Sequence, residues 1–222
     1  MILDEKIRKQ LREIFKSLQR PVSILFFEDD DCEYCQQTHA LLSELSGLSD
    51  QIHLTAYTIS EDPGFSDRYG ITQAPGTVIG GLKGDEFIDY GIRFLGIPAG
   101  HEFTSLIRTI LMVSASDSGL SAETRDFLAS LDRPVLLQVF VTPTCPYCPQ
   151  AVVLAHQMAF QSEMIEAEMI EATEFIDLSD QYGVSGVPHT VINEGAGEII
   201  GAAPEAALLE KIREIIADEV YE

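Results

Sequence analysis

Four cysteines are the only thiols in this 222-residue sequence, and they form two CxxC pairs, Cys32-Glu33-Tyr34-Cys35 and Cys145-Pro146-Tyr147-Cys148. Thiols at this spacing can close into a disulfide and reopen, moving two electrons; as thiolates they can also ligate a metal. Each pair follows an apolar run of strand length and opens a helix-type segment. Free N–H groups and the dipole at a helix start favour an anion, so Cys32 and Cys145 are expected as attacking thiols of lowered pKa. Cys35 and Cys148, in the first turn, are expected as resolving thiols. Pro146 suits the first helical position, and Pro149, one turn in, predicts an irregular helix there. The competing chemistry is a zinc ion held by four thiolates. Zinc-ribbon pairs lie close together in sequence, whereas Cys145 follows Cys35 by 110 positions and each pair opens its own helix, so redox chemistry without a metal is expected.

The sequence is written twice. Cys145 and Cys148 lie 113 positions after Cys32 and Cys35, and the same offset aligns Arg20-Pro21-Val22 with Arg133-Pro134-Val135, Tyr69-Gly70 with Tyr182-Gly183, Pro75 with Pro188, and Thr77-Val78-Ile79 with Thr190-Val191-Ile192. Across residues 20–79, 20 of 60 positions are identical without a gap, which is more than shared composition produces. A period this long means duplicated domains. The small polar stretch Ser114–Gly119 reads as the linker, giving units 1–117 and 118–222.

Each unit has the pattern α-β-α-β-α-β-β-α. In the first it reads as a helix over Glu5–Leu18, strands over Val22–Phe27 and Ile52–Ile59 flanking a helix from Cys32 to Leu45, a short helix ending near Gly70, strands over Thr77–Gly80 and Glu86–Gly91, and a helix over Ala99–Val113. This order predicts an α/β fold with a mixed sheet between helical layers, and the uniformly apolar Val22–Phe27 and Val135–Val141 belong in its interior. A 45% hydrophobic content with mean hydropathy +0.09 supplies a core. The net charge of −22 argues against nucleic-acid binding and against docking on anionic membranes. No apolar run has membrane-spanning length and no leader is visible, so a cytoplasmic protein is expected.

Cys145-Pro146-Tyr147-Cys148 resembles the active-site sequence of glutaredoxins. Ala74-Pro75 and Val187-Pro188, each following a Tyr-Gly, resemble the cis-proline segment of thioredoxin folds. The doubled chain, together with Gly96-Ile97-Pro98-Ala99-Gly100-His101-Glu102-Phe103, resembles the glutaredoxin-like protein disulfide oxidoreductases of archaea and bacteria over essentially its whole length. The resemblance implies two tandem thioredoxin-like folds, three-layer α/β/α with mixed sheets, packed side by side with their sheets merged. It implies reduction, oxidation and isomerisation of protein disulfides, with no cofactor beyond the redox-active cysteines. Electrons would come from a thioredoxin-reductase-like flavoenzyme. A cis X–Pro bond beside the cysteines would expose the backbone of Ala74 and Val187 to a substrate strand. Tyr34 and Tyr147 would shape the surface that meets the substrate, since a phenol is a poor base at neutral pH. The alternative is a non-catalytic binding or scaffold module with zinc-loaded or idle cysteines.

Three departures from the family pattern matter. The sequence has no Trp before the first cysteine. Phe26 and Val139 occupy the places where thioredoxins carry a buried acid, so that proton relay is expected to be missing in this form. The stretches 28–31 and 141–144 contain no Lys or Arg, which argues against glutathione dependence. The sites also differ from each other: Glu28, Asp29, Asp30, Asp31 and Glu33 crowd the first, while 141–149 is uncharged. Carboxylates disfavour a nearby thiolate, so Cys145 is expected to be the more acidic nucleophile and its pair the more oxidising. The five histidines are read as surface residues without a role.

Overall fold

Val22–Glu28 (β1) is apolar at successive positions because both of its faces are covered: Ile24 and Phe26 enter one core, Leu25 and Phe27 another. The computed structural model, which describes residues 2–218, places this strand second in an eight-stranded sheet. The elements follow as α1 (Glu5–Phe15), β1, α2 (Cys35–Ser46), β2 (Ile52–Thr58), α3 (Pro63–Arg68), β3 (Gly76–Lys83), β4 (Glu86–Leu95) and α4 (Glu102–Ala115). The second half repeats them as α5 (Ala122–Ala129), β5 (Val135–Val141), α6 (Cys148–Gln161), β6 (Ile165–Glu171), α7 (Ile176–Gln181), β7 (His189–Ile192), β8 (Gly197–Ile200) and α8 (Glu205–Asp218).

The sheet order is β2-β1-β3-β4-β6-β5-β7-β8. Within each half the first two strands run parallel and the rest antiparallel, and β4 lies parallel to β6 to join the halves into one sheet. One apolar core runs under both halves on the face covered by α1, α2, α4, α6 and α8, and two smaller clusters occupy the other face. Two local capping bonds begin the lead helices: Asp4 Oδ1 accepts from Ile7 N–H at 2.8 Å, and Ser121 Oγ from Thr124 N–H at 3.2 Å. The stretch read as a linker starts later than its composition suggested. Ser114 and Ala115 complete α4, and the buried Ser114 hydroxyl accepts from Gln19 and Arg20 N–H and donates to Arg20 C=O, tying α4 to the entry of β1.

The joint is short. Ile92–Leu95 of β4 pair with Ala167–Ile170 of β6, and Arg93 lies opposite Glu168. The Arg93 side chain is 3% exposed and bonds both oxygens of Asp89 at 2.8 and 2.7 Å, with Nε donating to Tyr69 C=O at 2.9 Å. Burial alone would push the Asp89 carboxyl up, but the guanidinium bonded to it wins and holds it below the ordinary carboxylate range. Gly91 enters the joint with φ +71°, and a Cβ there would stand 2.5 Å from Ile165 C=O, so only glycine lets β6 approach.

His156, expected at the surface, is instead fully buried on α6 between the halves. Thr109 Oγ1 meets its Nδ1 at 3.0 Å, Arg93 C=O meets its Nε2 at 3.3 Å, and it packs 4.8 Å from the Phe94 ring. Burial drives its pKa down to about 3, so it is neutral throughout the physiological range. His189 is also buried, with Nε2 2.9 Å from Glu198. His156 sits inside because the joint covers it from the other half, and His189 because β5 and β8 of its own half flank it and Glu198 lies against it.

Arg93→Ala leaves the Asp89 carboxylate and Tyr69 carbonyl without their partner inside the joint. It should lower unfolding free energy by ~3–5 kcal/mol, read from denaturant midpoints at constant slope. A change below about 1 kcal/mol would remove Arg93 from the account of the joint.

Candidate active sites

Both CxxC pairs are disulfide-bonded, with Cα atoms 5.4 Å apart at Cys32–Cys35 and 5.5 Å at Cys145–Cys148. The helices begin at the second cysteine of each pair, not the first: Tyr34 and Tyr147 are the N-cap residues of α2 and α6. Pro146 therefore precedes the helix, and Pro149 falls in its first turn, where an N–H has no intrahelical partner, so no irregularity follows. The first cysteine still gains from the helix start at the second site, because Cys148 N–H donates to Cys145 Sγ at 3.1 Å. At the first site Cys32 N–H bonds Asp29 C=O at 3.3 Å.

Within each pair the first cysteine is the less buried residue. Cys148 is 0% and Cys35 5% exposed, whereas Cys145 is 8% exposed and Cys32 half-buried. Tyr147 stands out at 69% exposure, while Tyr34 is half-buried. Tyr34 ionises above the usual phenol range because Glu33 faces it, with smaller contributions from burial, Glu174 and Glu171.

The peptide bonds Ala74–Pro75 and Val187–Pro188 are both cis. Strand pairing starts only after them, at Gly76 in β3 and His189 in β7, so Ala74 and Val187 lie ahead of the paired ladder and are half-buried. Gly96 N–H donates to Pro75 C=O at 2.9 Å, and Gly201 N–H to Pro188 C=O at 2.7 Å.

The surroundings of the two disulfides differ more than their motifs. Beside Cys32 lies a cleft of about 520 Å³ walled by Glu28, Asp29, Asp30 and His39, with Glu28 and His39 joined at 3.1 Å. At the 113-residue offset Glu28 becomes Val141 and His39 becomes Val152, both fully buried, so the polar wall becomes aliphatic at the second site.

The sequence reading did not single out one buried carboxyl. Phe26 and Val139 are indeed apolar and fully buried, but Glu102, at the start of α4, is 1% exposed. Its Oε2 accepts from Ser105 Oγ at 2.5 Å, its Oε1 has no hydrogen-bond partner, and burial raises its pKa to about 7. His101 N–H bonds Pro143 C=O at 2.9 Å, two residues before Cys145, and Thr109 bonds His156, so α4 and α6 run side by side in the same direction. Glu102 lies seven residues before Thr109 and Cys148 eight before His156, so both stand near the starts of these neighbouring parallel helices.

Among the described residues no cluster of three or more His, Cys, Asp or Glu side chains is placed to hold a metal ion, and no helix is long and apolar enough to cross a membrane. A doubled CxxC-and-cis-proline sheet of this kind defines a tandem thioredoxin-fold disulfide exchanger. A thioredoxin-domain profile matches residues 135–215. The protein disulfide oxidoreductase of Aeropyrum pernix superposes with a TM-score of 0.86 at 30% identity, over 93% of this chain and 90% of that one. The alkylhydroperoxide reductase component AhpF of Enterococcus faecalis superposes with a TM-score of 0.86 at 29% identity, over 95% and 99%. The corresponding alkyl hydroperoxide reductase component of Pseudomonas putida is 28% identical over 201 residues, 90% of this chain and 35% of that relative. The chain thus spans about a third of the length of the curated relatives it matches. It belongs to the protein disulfide oxidoreductases built from two thioredoxin folds.

The carboxylates around Cys32 and the N–H bonded to Cys145 Sγ act in opposite directions on their thiolates. In the reduced protein, alkylation rate against pH should give Cys145 the lower apparent pKa. A lower value at Cys32 would overturn the proposed asymmetry.

Proposed function

We propose that the chain, as units 1–117 and 118–222, exchanges electrons with protein disulfides at two sites, with Cys32 and Cys145 attacking and Cys35 and Cys148 resolving. The observation that carries this assignment is the graded burial of each pair, outer sulfur first, beside a cis X–Pro segment. In the reducing direction the Cys145 thiolate attacks one sulfur of a substrate disulfide. A mixed disulfide forms, and the first substrate thiolate leaves and takes a proton from solvent. Cys148 then attacks Cys145 Sγ, closing the Cys145–Cys148 disulfide and releasing the second substrate thiolate. Two electrons pass from the dithiol to the substrate, and the reverse sequence oxidises a substrate dithiol. Cys32 and Cys35 run the same steps at the first site.

A buried thiol cannot attack until its proton has somewhere to go. Glu102 is the acceptor for Cys148: a carboxyl titrating near 7 is poised to take a thiol proton and return it. The backbone of Ala74 and Val187 receives an extended substrate segment as an added strand, and Tyr34 and Tyr147 flank it. The disulfides serve as the redox groups themselves, with no further cofactor.

The chain draws electrons from a nicotinamide-dependent flavoenzyme. This is supported by its match to about a third of longer redox relatives, among them the NADH dehydrogenase of Bacillus subtilis at 25% identity. A reducing, cytoplasmic setting suits a chain whose four cysteines all lie in exchangeable pairs.

Insulin reduction by dithiothreitol, followed as turbidity, tests the assignment. Wild type should accelerate it, Cys32→Ser and Cys145→Ser should each retain part of the rate, and the double variant should fall to background. Wild type at background would overturn the reading. With the second site alone, Glu102→Gln should slow resolution by on the order of 10²-fold and accumulate the mixed disulfide. The wild-type step should quicken as pH rises through about 7, where Glu102 ionises, and the variant should lose that inflection. An unchanged profile would remove Glu102 from the proton path.

A further inference from the structure

The turn after β6 carries two carboxyls that the exchange chemistry leaves unused. Glu171, 2% exposed, closes the turn: its Oε2 accepts from Thr173 N–H at 3.1 Å, Thr173 Oγ1 at 2.7 Å and Glu174 N–H at 2.7 Å. Glu174 reaches out of the turn, and its Oε1 accepts from Ile97 N–H at 3.0 Å, a bond between residues 77 positions apart. Its Oε2 is buried without a hydrogen-bond partner, and burial raises its pKa to about 7. At the 113-residue offset the equivalent of Glu174 is Glu61, which is exposed because β2 is an edge strand.

Ile97 belongs to the strap that leaves β4. The residue before it, Gly96, has φ +97°, and a Cβ there would stand 2.6 Å from Glu171 Cβ and 3.2 Å from Glu174 Cδ. Gly96 N–H is the donor that holds Pro75 C=O. An unbroken line of bonds therefore runs from the second half of the chain, through Glu174, Ile97 and Gly96, to the cis-proline segment of the first site. The second site has no counterpart: Gly201 holds Pro188, but nothing lies within 4 Å of where its Cβ would be.

We propose that Glu174 is a positioning residue for the first site, fixing through Gly96–Ile97 the Ala74–Pro75 segment on which a substrate strand docks. The proposal rests on the reading of Ala74–Pro75 as that docking segment. It makes substrate capture at the first site depend on the other half of the protein, while capture at the second site stays within its own half. Loss of the Glu174 bond lets the strap and Pro75 shift, so substrate binding weakens while the sulfurs keep their positions.

The test uses the full chain with one site active at a time, Cys145→Ser/Cys148→Ser or Cys32→Ser/Cys35→Ser, reducing a fluorescence-quenched peptide pair joined by a disulfide. Glu174→Ala should raise KM at the first site about two- to tenfold, the range of one lost hydrogen bond, with kcat nearly unchanged. At the second site it should change neither. Glu174→Gln keeps an oxygen to accept from Ile97 N–H and should restore KM. An unchanged first-site KM in Glu174→Ala, an equal effect at both sites, or no rescue by glutamine would each overturn the proposal. Pro75→Ala separates the two layers. If it leaves KM unchanged, the docking reading itself falls; if it raises KM while Glu174→Ala does not, only the role of Glu174 falls.

Discussion

Four residues of parallel pairing between β4 and β6, with a buried guanidinium on one of them, set the relation between the two halves. Through that joint β6 becomes an interior strand while its counterpart β2 stays at an edge. Everything that distinguishes the halves in the region between the two sites follows from this difference. His156 is sealed between Thr109, Phe94 and the Arg93 carbonyl. Glu102 is buried at the start of α4, beside α6 of the other half, and Glu174 reaches the strap of the first half from the second. A duplication gave two like units, and the way they abut made their sites unlike.

The unlikeness is chemical as well as geometric. At the first site the disulfide adjoins a cleft walled by carboxylates and a histidine–glutamate pair; at the second, valines stand at the positions matching that pair. A wall of fixed negative charge selects against a thiolate and against acidic substrates at once, while an aliphatic wall is indifferent to both. One chain thereby offers two reducing or oxidising environments to the same class of substrate.

The repeat, the two cysteine pairs, the succession of helices and strands along each unit and both prolines are legible in the sequence, because each depends on short spacings or on an offset that the duplication writes out. The helix start is not, since the motif alone does not say which residue caps; a start placed three residues early makes Pro149 look like a disturbance in a helix whose first turn it in fact occupies. The burial of Glu102 is invisible because the parallel helix beside it begins 46 positions later. The burial of His156 escapes notice for the same reason. A periodicity shows that a face is covered, but not by which distant element. Glu61 and Glu174 are identical letters at matched positions, and only the joint decides that one meets water and the other a backbone N–H.

The joint also has a direction. It lays the last strand of one unit against the second strand of the next, so the two outer rims of the sheet are different: β2 with seven residues at one end, β8 with four at the other. Such a contact is heterologous, because β4 and β6 are not equivalent strands of their units. β4 makes the contact with residues at the end of a ten-residue strand, and β8 stops at Ile200 before Gly201 turns the chain away. The four residues of β8 therefore present less unpaired backbone at that rim than the seven of β2 do at the other.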